Sequence, residues 1–478
     1  MINLGLSRIT SLLQPLFSTH TVLPWRAIHI AGTNGKGSTA TYISTLLSHQ
    51  GYKVGRFTSP HLVHRWDCIS LNQRTVDKDV FLAMEGEVQK RSREQGINAT
   101  EFEVLTAVAF ELFTRHGMEF GVVECGLGGR LDATNVLREQ DVEVAVLTKV
   151  GLDHQDFLGD TVQKIAEEKA GIFKRGVAVV VDQSNEPCVL DVVRAKVKDV
   201  NAGDARSSRF LVQLPSELEA AALNEPGVTA MNLADHQQQN LTTALGAFHH
   251  VMEHRQSKIV VEQRMQSTIR DLPGLIQQSH ASIRGRLETL TLPPHLIPSS
   301  ISNEQKKMNT PFQVLVDGAH NPQAAVALAK HIRDHIRGPS NLPIIWVMSL
   351  KRDKDISTFI KTVVAPGDHV VTCVFAPVES MPWVSSMDPY ELAKEVTRIM
   401  GDQEHHHVEV GLDPKSGHPT VAAAIRRAVS ISMSASPDTG SSSLDEGGIS
   451  RADRIPICIA GSLYLVGDVM RAVDDTEN

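Results

Sequence analysis

The chain has 478 residues, of which 41% are hydrophobic and 21% charged, and its formal net charge is −8. That length exceeds what one hydrophobic core serves, so two globular domains are expected. The acidic balance and the lack of a long basic run argue against nucleic acid or a membrane as partner, and no apolar run reaches the ~18 residues of a membrane span.

The N-terminus, Met1 to Thr21, is acid-free and amphipathic with Arg8 as its only lysine or arginine, and it reads as a first helix. Ile28–Thr39 follows as an apolar strand, a glycine-rich turn and a helix beginning near Ser38. Glycines at 32, 35 and 37 let the backbone approach an anion, and the helix N-terminus adds a favourable dipole. Lys36 supplies a point charge for phosphates, and Ser38 or Thr39 can hold magnesium. Ile30 stands where the usual P-loop has its first glycine, so a purely structural turn stays open as the alternative.

Arg26–Ala31, Lys53–Phe57, Phe120–Cys125, Val142–Val150 and Val177–Val181 read as strands, with helices between them such as Glu101–His116 and Thr161–Lys174. This alternation predicts a parallel sheet covered on both faces. Asp235–His254 reads as a helix near the end of the first domain. Leu292–Thr310 has no period and reads as a linker or insertion. Alternation then resumes, with strands at Phe312–Val316, Ile344–Met348, His369–Phe375, Val408–Val410 and Ile455–Ile459. The expected domains are 1–291, a linker at 292–310, and 311–478. Ser430–Ser450 reads as a disordered loop, and Glu404–His407 as a solvated loop rather than a metal cluster. The five cysteines, Cys68, Cys125, Cys188, Cys373 and Cys458, form no C-x-x-C pair, which points to a reducing, cytoplasmic setting without structural zinc.

In an open parallel sheet, function gathers at the carboxyl ends of strands. Glu124, before Gly126 and Gly128, is placed to hold a nucleotide magnesium; its alternative is a buried acid paired with Arg130. His154 follows the next strand and serves either as a structural residue or at a second metal or phosphate. Lys169 by itself reads as a surface lysine beside Glu167 and Glu168. Asp317 and His320, before Pro322, meet ribose and phosphate or else form a cap and a surface histidine. Arg286 is a phosphate clamp or a partner of Glu288.

Together these segments resemble the folylpolyglutamate synthase and dihydrofolate synthase family of the Mur ligases. The resemblance rests on HIAGTNGKGS (29–38), TSPHL (58–62), ECGLGGRLDATN (124–135), LDH followed by LG (152–159), EKAGI (168–172), HQQQN (236–240), GRLE (285–288), DGAHNP (317–322) and GSLYLVG (461–467). Arg65–Ile69 and Glu379–Trp383 look like its fungal dihydrofolate synthase branch, and Cys68 replaces an arginine usual in folylpolyglutamate synthases.

The resemblance implies an α/β fold: an N-terminal P-loop-type parallel-sheet ATPase domain and a smaller C-terminal Rossmann-like glutamate-ligase domain. It implies ATP-dependent ligation of L-glutamate to dihydropteroate through an acyl phosphate, in a monomer. The alternatives are an enzyme that extends folates, alone or in addition, and a catalytically silent nucleotide binder. Carried over by position, Thr33, Asn34, Gly35, Lys36, Gly37 and Ser38 would bind ATP with Asn240, Arg286, Asp317 and His320. Ser38, Ser59 and Glu124 would hold one magnesium and His154 a second. Lys169 would carry a carbamate, and Phe102 and Asp132 would touch the pterin. Loss of positive charge at Cys68 would favour dihydropteroate over a substrate with an anionic tail.

Overall fold

The computed structural model describes residues 4–204, 207–298, 311–338, 341–379, 381, 384–401, 407–434 and 454–475. It forms two compact units, Met1–Ile283 and Arg284–Asn478.

The first unit is built on an eight-stranded sheet: β1 (Arg26–Ala31), β2 (Val54–Phe57), β3 (Ile69–Leu71), β4 (Arg74–Thr75), β5 (Phe120–Glu124), β6 (Val142–Leu147), β7 (Ala178–Val181) and β8 (Leu211–Val212), in the order β4-β3-β2-β5-β1-β6-β7-β8. The pairs from β2 to β8 are parallel, whereas β3 and β4 form an antiparallel ribbon at one edge. Every residue of β5 and β6 is buried, as expected of strands covered on both faces. On one face Trp25 packs edge-on against Phe110 and Phe113, at 5.2 and 5.5 Å between ring centres. On the other lie helices Lys36–His49, Asp235–Arg255 and Lys258–Ser282.

The second unit has a six-stranded sheet: β9 (Glu288–Thr291), β10 (Gln313–Asp317), β11 (Ile345–Met348), β12 (His369–Thr372), β13 (His407–Val410) and β14 (Ile457–Ala460), in the order β13-β12-β11-β14-β10-β9. All pairs are parallel except β9 with β10. A buried ion pair staples its core. Asp368 accepts from both Arg337 amines, the Ile344 and Ala365 N–H groups and the Trp346 indole, at 2.5 to 2.9 Å.

The α/β architecture and the positions of the expected strands agree with the sequence. Four details differ. The compact units divide at Ile283 and Arg284 rather than at 291, because β9 joins the second sheet by pairing with β10. Leu292, Leu296 and Ile297 are buried, so the start of the expected linker is part of that unit, while 299–310 lies outside the described residues. The N-terminal helix is two short ones, Ser7–Leu12 and Gln14–Thr19, broken at Leu13. Ser430–Ser434 ends a helix, Val421–Ser434, rather than starting a loop; 435–450 and the histidines 405 and 406 are outside the described residues.

Candidate active site

In the first unit β1 ends at Ala31, and the chain turns through Gly32–Gly35 into helix Lys36–His49. Gly35 has φ 84°, a left-handed conformation, and a Cβ there would stand 2.1 Å from Asn240 Oδ1. A Cβ on Gly32 would fall 1.9 Å from the Thr148 hydroxyl, so the loop is hemmed in at both ends. The end of β6 fixes its path. The N–H groups of Thr33 and Asn34 donate to the Lys149 carbonyl at 2.8 and 3.1 Å, and the Thr148 hydroxyl donates to the Asn34 carbonyl at 2.8 Å. The Thr33 hydroxyl donates to the Gly151 carbonyl at 3.0 Å and accepts from the Gly151 N–H at 3.1 Å. No side chain caps the helix. The N–H groups of its first turn and the positive end of its dipole therefore point to an anion site.

Glu124 ends β5 in register with Ile30 of β1. Its carboxylate is buried: Oε1 lies 3.7 Å from Lys36 Nζ, and Oε2 accepts from the Ser59 N–H at 3.3 Å. The alternative pairing with Arg130 does not form, because Arg130 forks onto Glu168 at 2.9 to 3.2 Å. Lys36 also donates to the Thr33 carbonyl at 3.2 Å. Ser38 is partly buried in the first helical turn.

Lys169 corrects its surface reading. Helix Val162–Lys169 turns Ile165, Ala166 and Lys169 inward, and the lysine is 4% exposed. Its Nζ donates to the Gly32 carbonyl at 2.7 Å, and neither Glu167 nor Glu168 is its partner there. Burial first, and then the charge of Lys36, pull its pKa from 10.5 to about 7. His154 is exposed, in a left-handed conformation at φ 52°, with its ring 3.9 Å from Asp153. The structure thus gathers Lys36, Ser59 and Glu124 at the loop, with Lys169 against Gly32 and Asn240 against Gly35. His154 stands on the segment that Gly151 ties to Thr33.

Phe102 stacks on Phe57 at 5.9 Å, and a Cβ on Gly126 would meet its ring at 2.5 Å. Asp132 is buried, and its carboxylate accepts from the Leu127 N–H and from the Thr134 N–H and hydroxyl at 2.5 to 3.0 Å. Burial raises its pKa against the pull of those donors. Cys68 is 2% exposed in the apolar core, and burial pushes its thiol pKa up. It is not a gap in a charged surface loop, so the expected charge effect has no exposed position to act from. The positive charge of this segment is Arg65, which lies 3.1 Å from Glu101 and also pairs with Glu85.

Two residues that sequence reasoning passed over lie in this unit. Arg56 on β2 reaches under helix Lys36–His49, 3.5 Å from the Ser44 hydroxyl, and burial lowers its pKa to about 10 while Glu124 opposes the fall. A charged residue inside a four-residue apolar strand was the available signal. His29, at 0% exposure in the middle of β1, lies 2.8 Å from the Thr134 hydroxyl and 3.2 Å from the Cys125 sulfur.

In the second unit Asp317 ends β10, is buried, and accepts from the N–H groups of Leu287 and Ala319 at 2.8 Å each. It is not the helix cap; Asn321 is, accepting from the Ala324 N–H at 2.9 Å. His320 Nδ1 donates to the Gly318 carbonyl at 2.7 Å. Arg286 is exposed and donates to the Gly285 carbonyl at 3.2 Å. Glu288, its alternative partner, is taken by Arg284 at 2.7 Å and by the Gly285 N–H at 2.6 Å. Arg286, Asp317 and His320 are thus gathered around one backbone crossing, where the Gly318 N–H meets the Gly285 carbonyl at 2.9 Å.

Among the described residues no helix is long and apolar enough to cross a membrane. Residues 30–209 match the Mur ligase middle domain, and residues 300–472 match the dihydrofolate synthetase C-terminal domain. A dihydrofolate synthetase of Saccharomyces cerevisiae is 31% identical over 98% of this chain and 98% of its own length. A probable dihydrofolate synthetase of Schizosaccharomyces pombe is 34% identical over 83% of this chain and 88% of its own. A bifunctional folylpolyglutamate synthase/dihydrofolate synthase from Yersinia pestis, complexed with AMPPNP and a Mn ion, superposes with a TM-score of 0.65 at 23% identity, over 98% of this chain and 94% of that one. The chain therefore belongs to the dihydrofolate synthase and folylpolyglutamate synthase family of ATP-dependent Mur ligases.

Proposed function

We propose that the chain joins L-glutamate to dihydropteroate with ATP, giving dihydrofolate, ADP and phosphate. The observation that carries this is the full-length similarity to a fungal dihydrofolate synthetase, in a chain whose Lys36 and Glu124 meet at an uncapped phosphate loop. A carboxylate oxygen of dihydropteroate attacks the γ-phosphorus, and the bond to ADP breaks. The glutamate amine then attacks the acyl carbon, phosphate leaves, and the amine gives up a proton.

The residues take the following roles in this proposal. Gly35, Lys36 and Gly37 hold the phosphates, bordered by Thr33 and Asn34, and Asn240 meets adenine. In the second unit Arg286 grips phosphate, Asp317 meets ribose and His320 lies by the phosphates. Phe102 and Asp132 serve the pterin. Ser38, Ser59 and Glu124 would hold one magnesium and His154 a second. The first set suits that ion: Ser38, Ser59 and Glu124 offer hard oxygens with one buried carboxylate, and phosphate oxygens and water would complete the shell. Bound magnesium neutralises charge on the transferring phosphoryl group. Lys169, whose amine is half neutral near pH 7, is the candidate carbamate: its nitrogen bonds CO₂ and loses a proton. Density for an unmodified side chain, in crystals grown with bicarbonate and magnesium, would exclude that group. A monomer in the cytoplasm completes the proposal; light scattering and imaging of a tagged chain check those two points.

The decisive experiment supplies purified protein with ATP, labelled glutamate and either dihydropteroate or tetrahydrofolate. Incorporation with dihydropteroate alone is expected. Comparable kcat/KM for both acceptors would make the enzyme bifunctional, and turnover with tetrahydrofolate alone would make it a folylpolyglutamate synthase.

A further inference from the structure

His29 on β1 and Thr134 beyond β5 are fully buried polar residues, and none of the roles above uses them. His29 precedes Ile30, which is in register with Glu124, so its side chain leaves the sheet on the face opposite that carboxylate. Ile28 and Ile30 pack with helix Lys36–His49, whereas Val123, the register partner of His29, packs with Phe57 and Phe102. The helix after the phosphate loop and the His29 ring therefore cover opposite faces of β1.

The ring begins a chain of hydrogen bonds. Its Nε2 lies 2.8 Å from the Thr134 hydroxyl, which lies 2.5 Å from Asp132 Oδ1. Asp132 Oδ2 accepts from the Leu127 N–H at 2.8 Å, and a Cβ on Gly126, just before it, would meet the Phe102 ring at 2.5 Å. One hydroxyl proton sets the direction of the chain. The carboxylate is the stronger acceptor, so Thr134 donates to Asp132 and His29 must donate to Thr134 from Nε2. The Cys125 sulfur, 3.2 Å from the same nitrogen, is the weaker partner. The ring is neutral, because burial and then the Lys174 charge hold its pKa well below the ordinary histidine value. Nδ1 is then bare, and it is buried without a partner. An apolar residue at this place would avoid that cost, so packing alone does not account for the histidine.

We infer that His29 and Thr134 are positioning residues for the pterin ring of the acceptor: they fix the Asp132 carboxylate and, through it, the Gly126–Leu127 peptide against Phe102. This rests on Phe102 and Asp132 serving the pterin. Dihydropteroate and folates share that ring, so the chain of bonds acts on the binding of either acceptor and not on the choice between them. Nucleotide binding, on the other face of β1, does not pass through it.

Steady-state kinetics of the full-length protein test this. Thr134→Val keeps the side-chain shape and removes the hydroxyl, so the KM for dihydropteroate should rise about tenfold, the scale of one lost hydrogen bond to a charged group. The KM for ATP and kcat should stay as they are, and Thr134→Ser should restore the wild-type KM for dihydropteroate. An unchanged KM for dihydropteroate in Thr134→Val, a Thr134→Ser variant equally impaired, or an equal rise in the KM for ATP would each overturn the positioning role while leaving the proposed reaction standing. If Thr134→Val does not fold, nitrogen NMR spectra of histidine-labelled wild type decide. A neutral His29 ring with its proton on Nε2, shifted by dihydropteroate and not by ADP, is expected. A proton on Nδ1, or a ring that dihydropteroate leaves unchanged, would overturn the positioning role. A wild-type protein that turns over neither dihydropteroate nor tetrahydrofolate would overturn both.

Discussion

Each unit has a strand-to-helix turn at the carboxyl end of an inner strand, and the two turns handle their backbone donors in opposite ways. After β1 the chain enters helix Lys36–His49 through a left-handed glycine, with no capping side chain and Lys36 at the first helical position. After β10 it enters helix Pro322–Ile332 through Asn321, which caps the Ala324 N–H, and Pro322, which has no N–H to offer. Asp317 takes two more N–H groups, those of Leu287 and Ala319. The first turn keeps its donors for an external anion; the second has used its own internally and presents side chains instead, Arg286 and His320. A helix N-terminus becomes a phosphate cradle only when its donors are left unspent.

The largest expected effect is at the open turn. Lys36→Ala should lower kcat roughly a thousandfold, as loss of a charge aimed at the transferring group does, with the melting temperature unchanged. Near-normal turnover in a folded variant would remove the phosphate-loop assignment and with it the contrast between the turns. Gly35→Ala sharpens the contrast. The new Cβ must take a left-handed φ and displace Asn240, so kcat/KM for ATP should fall about a hundredfold, the scale of an ångström-level misplacement. Retained ATP affinity would mean that Asn240 does not read the nucleotide.

Much of this contrast was legible in the sequence, and the reasons are physical. Buried parallel strands are continuous β-branched runs, so β1, β5 and β6 announce themselves, and a glycine-rich stretch after β1 marks a close approach. β3, β4 and β8 were missed because strands of two or three residues carry too little period to register, and β9 because only Leu290 of its four residues is buried. The long helix Lys258–Ser282 was passed over as well. Side-chain partners were the weakest part. The structural alternatives, Glu124 with Arg130, Lys169 with Glu167 or Glu168 and Arg286 with Glu288, were each argued from nearness along the chain, yet Arg130 bonds Glu168, Lys169 bonds Gly32 and Glu288 bonds Arg284. Nearness along a chain says little about which charged groups a parallel sheet brings together, since its neighbours are separated by whole crossovers.

The burial of Lys169 gives the next effect in size, and its sign is fixed. The folded pKa of about 7 lies below the unfolded 10.5, so between those values the unfolded chain binds the proton that the folded chain has lost. Stability should therefore rise with pH across that window, by up to about 1.4 kcal/mol per unit from this residue. Below pH 7 both states are protonated and the slope vanishes. Urea titrations at several pH values between 7 and 10, without bicarbonate or divalent cations, should show that slope in the wild type and not in Lys169→Met. An identical pH dependence in the two proteins would mean that the lysine is hydrated rather than buried against Gly32, and the first turn would lose one of its supports.

The smallest effect belongs to the closed turn. Asn321 is 3% exposed, and its side chain bonds the Ala324 N–H at 2.9 Å. Asn321→Ala deletes that acceptor and leaves one donor of the first turn unsatisfied in a largely buried place, which costs about 1 kcal/mol at a helix N-cap. The loss should be local. Amide exchange in helix Pro322–Ile332 should quicken about fivefold, the factor that 1 kcal/mol sets, while helix Lys36–His49 exchanges as before. The first helix has no side-chain cap to lose, so Ser38→Ala, in its first turn, should leave its own exchange unchanged while weakening the magnesium dependence of turnover. If Asn321→Ala leaves exchange in its helix untouched, the cap is not what starts that helix, and the two turns differ in sequence without differing in how their donors are used.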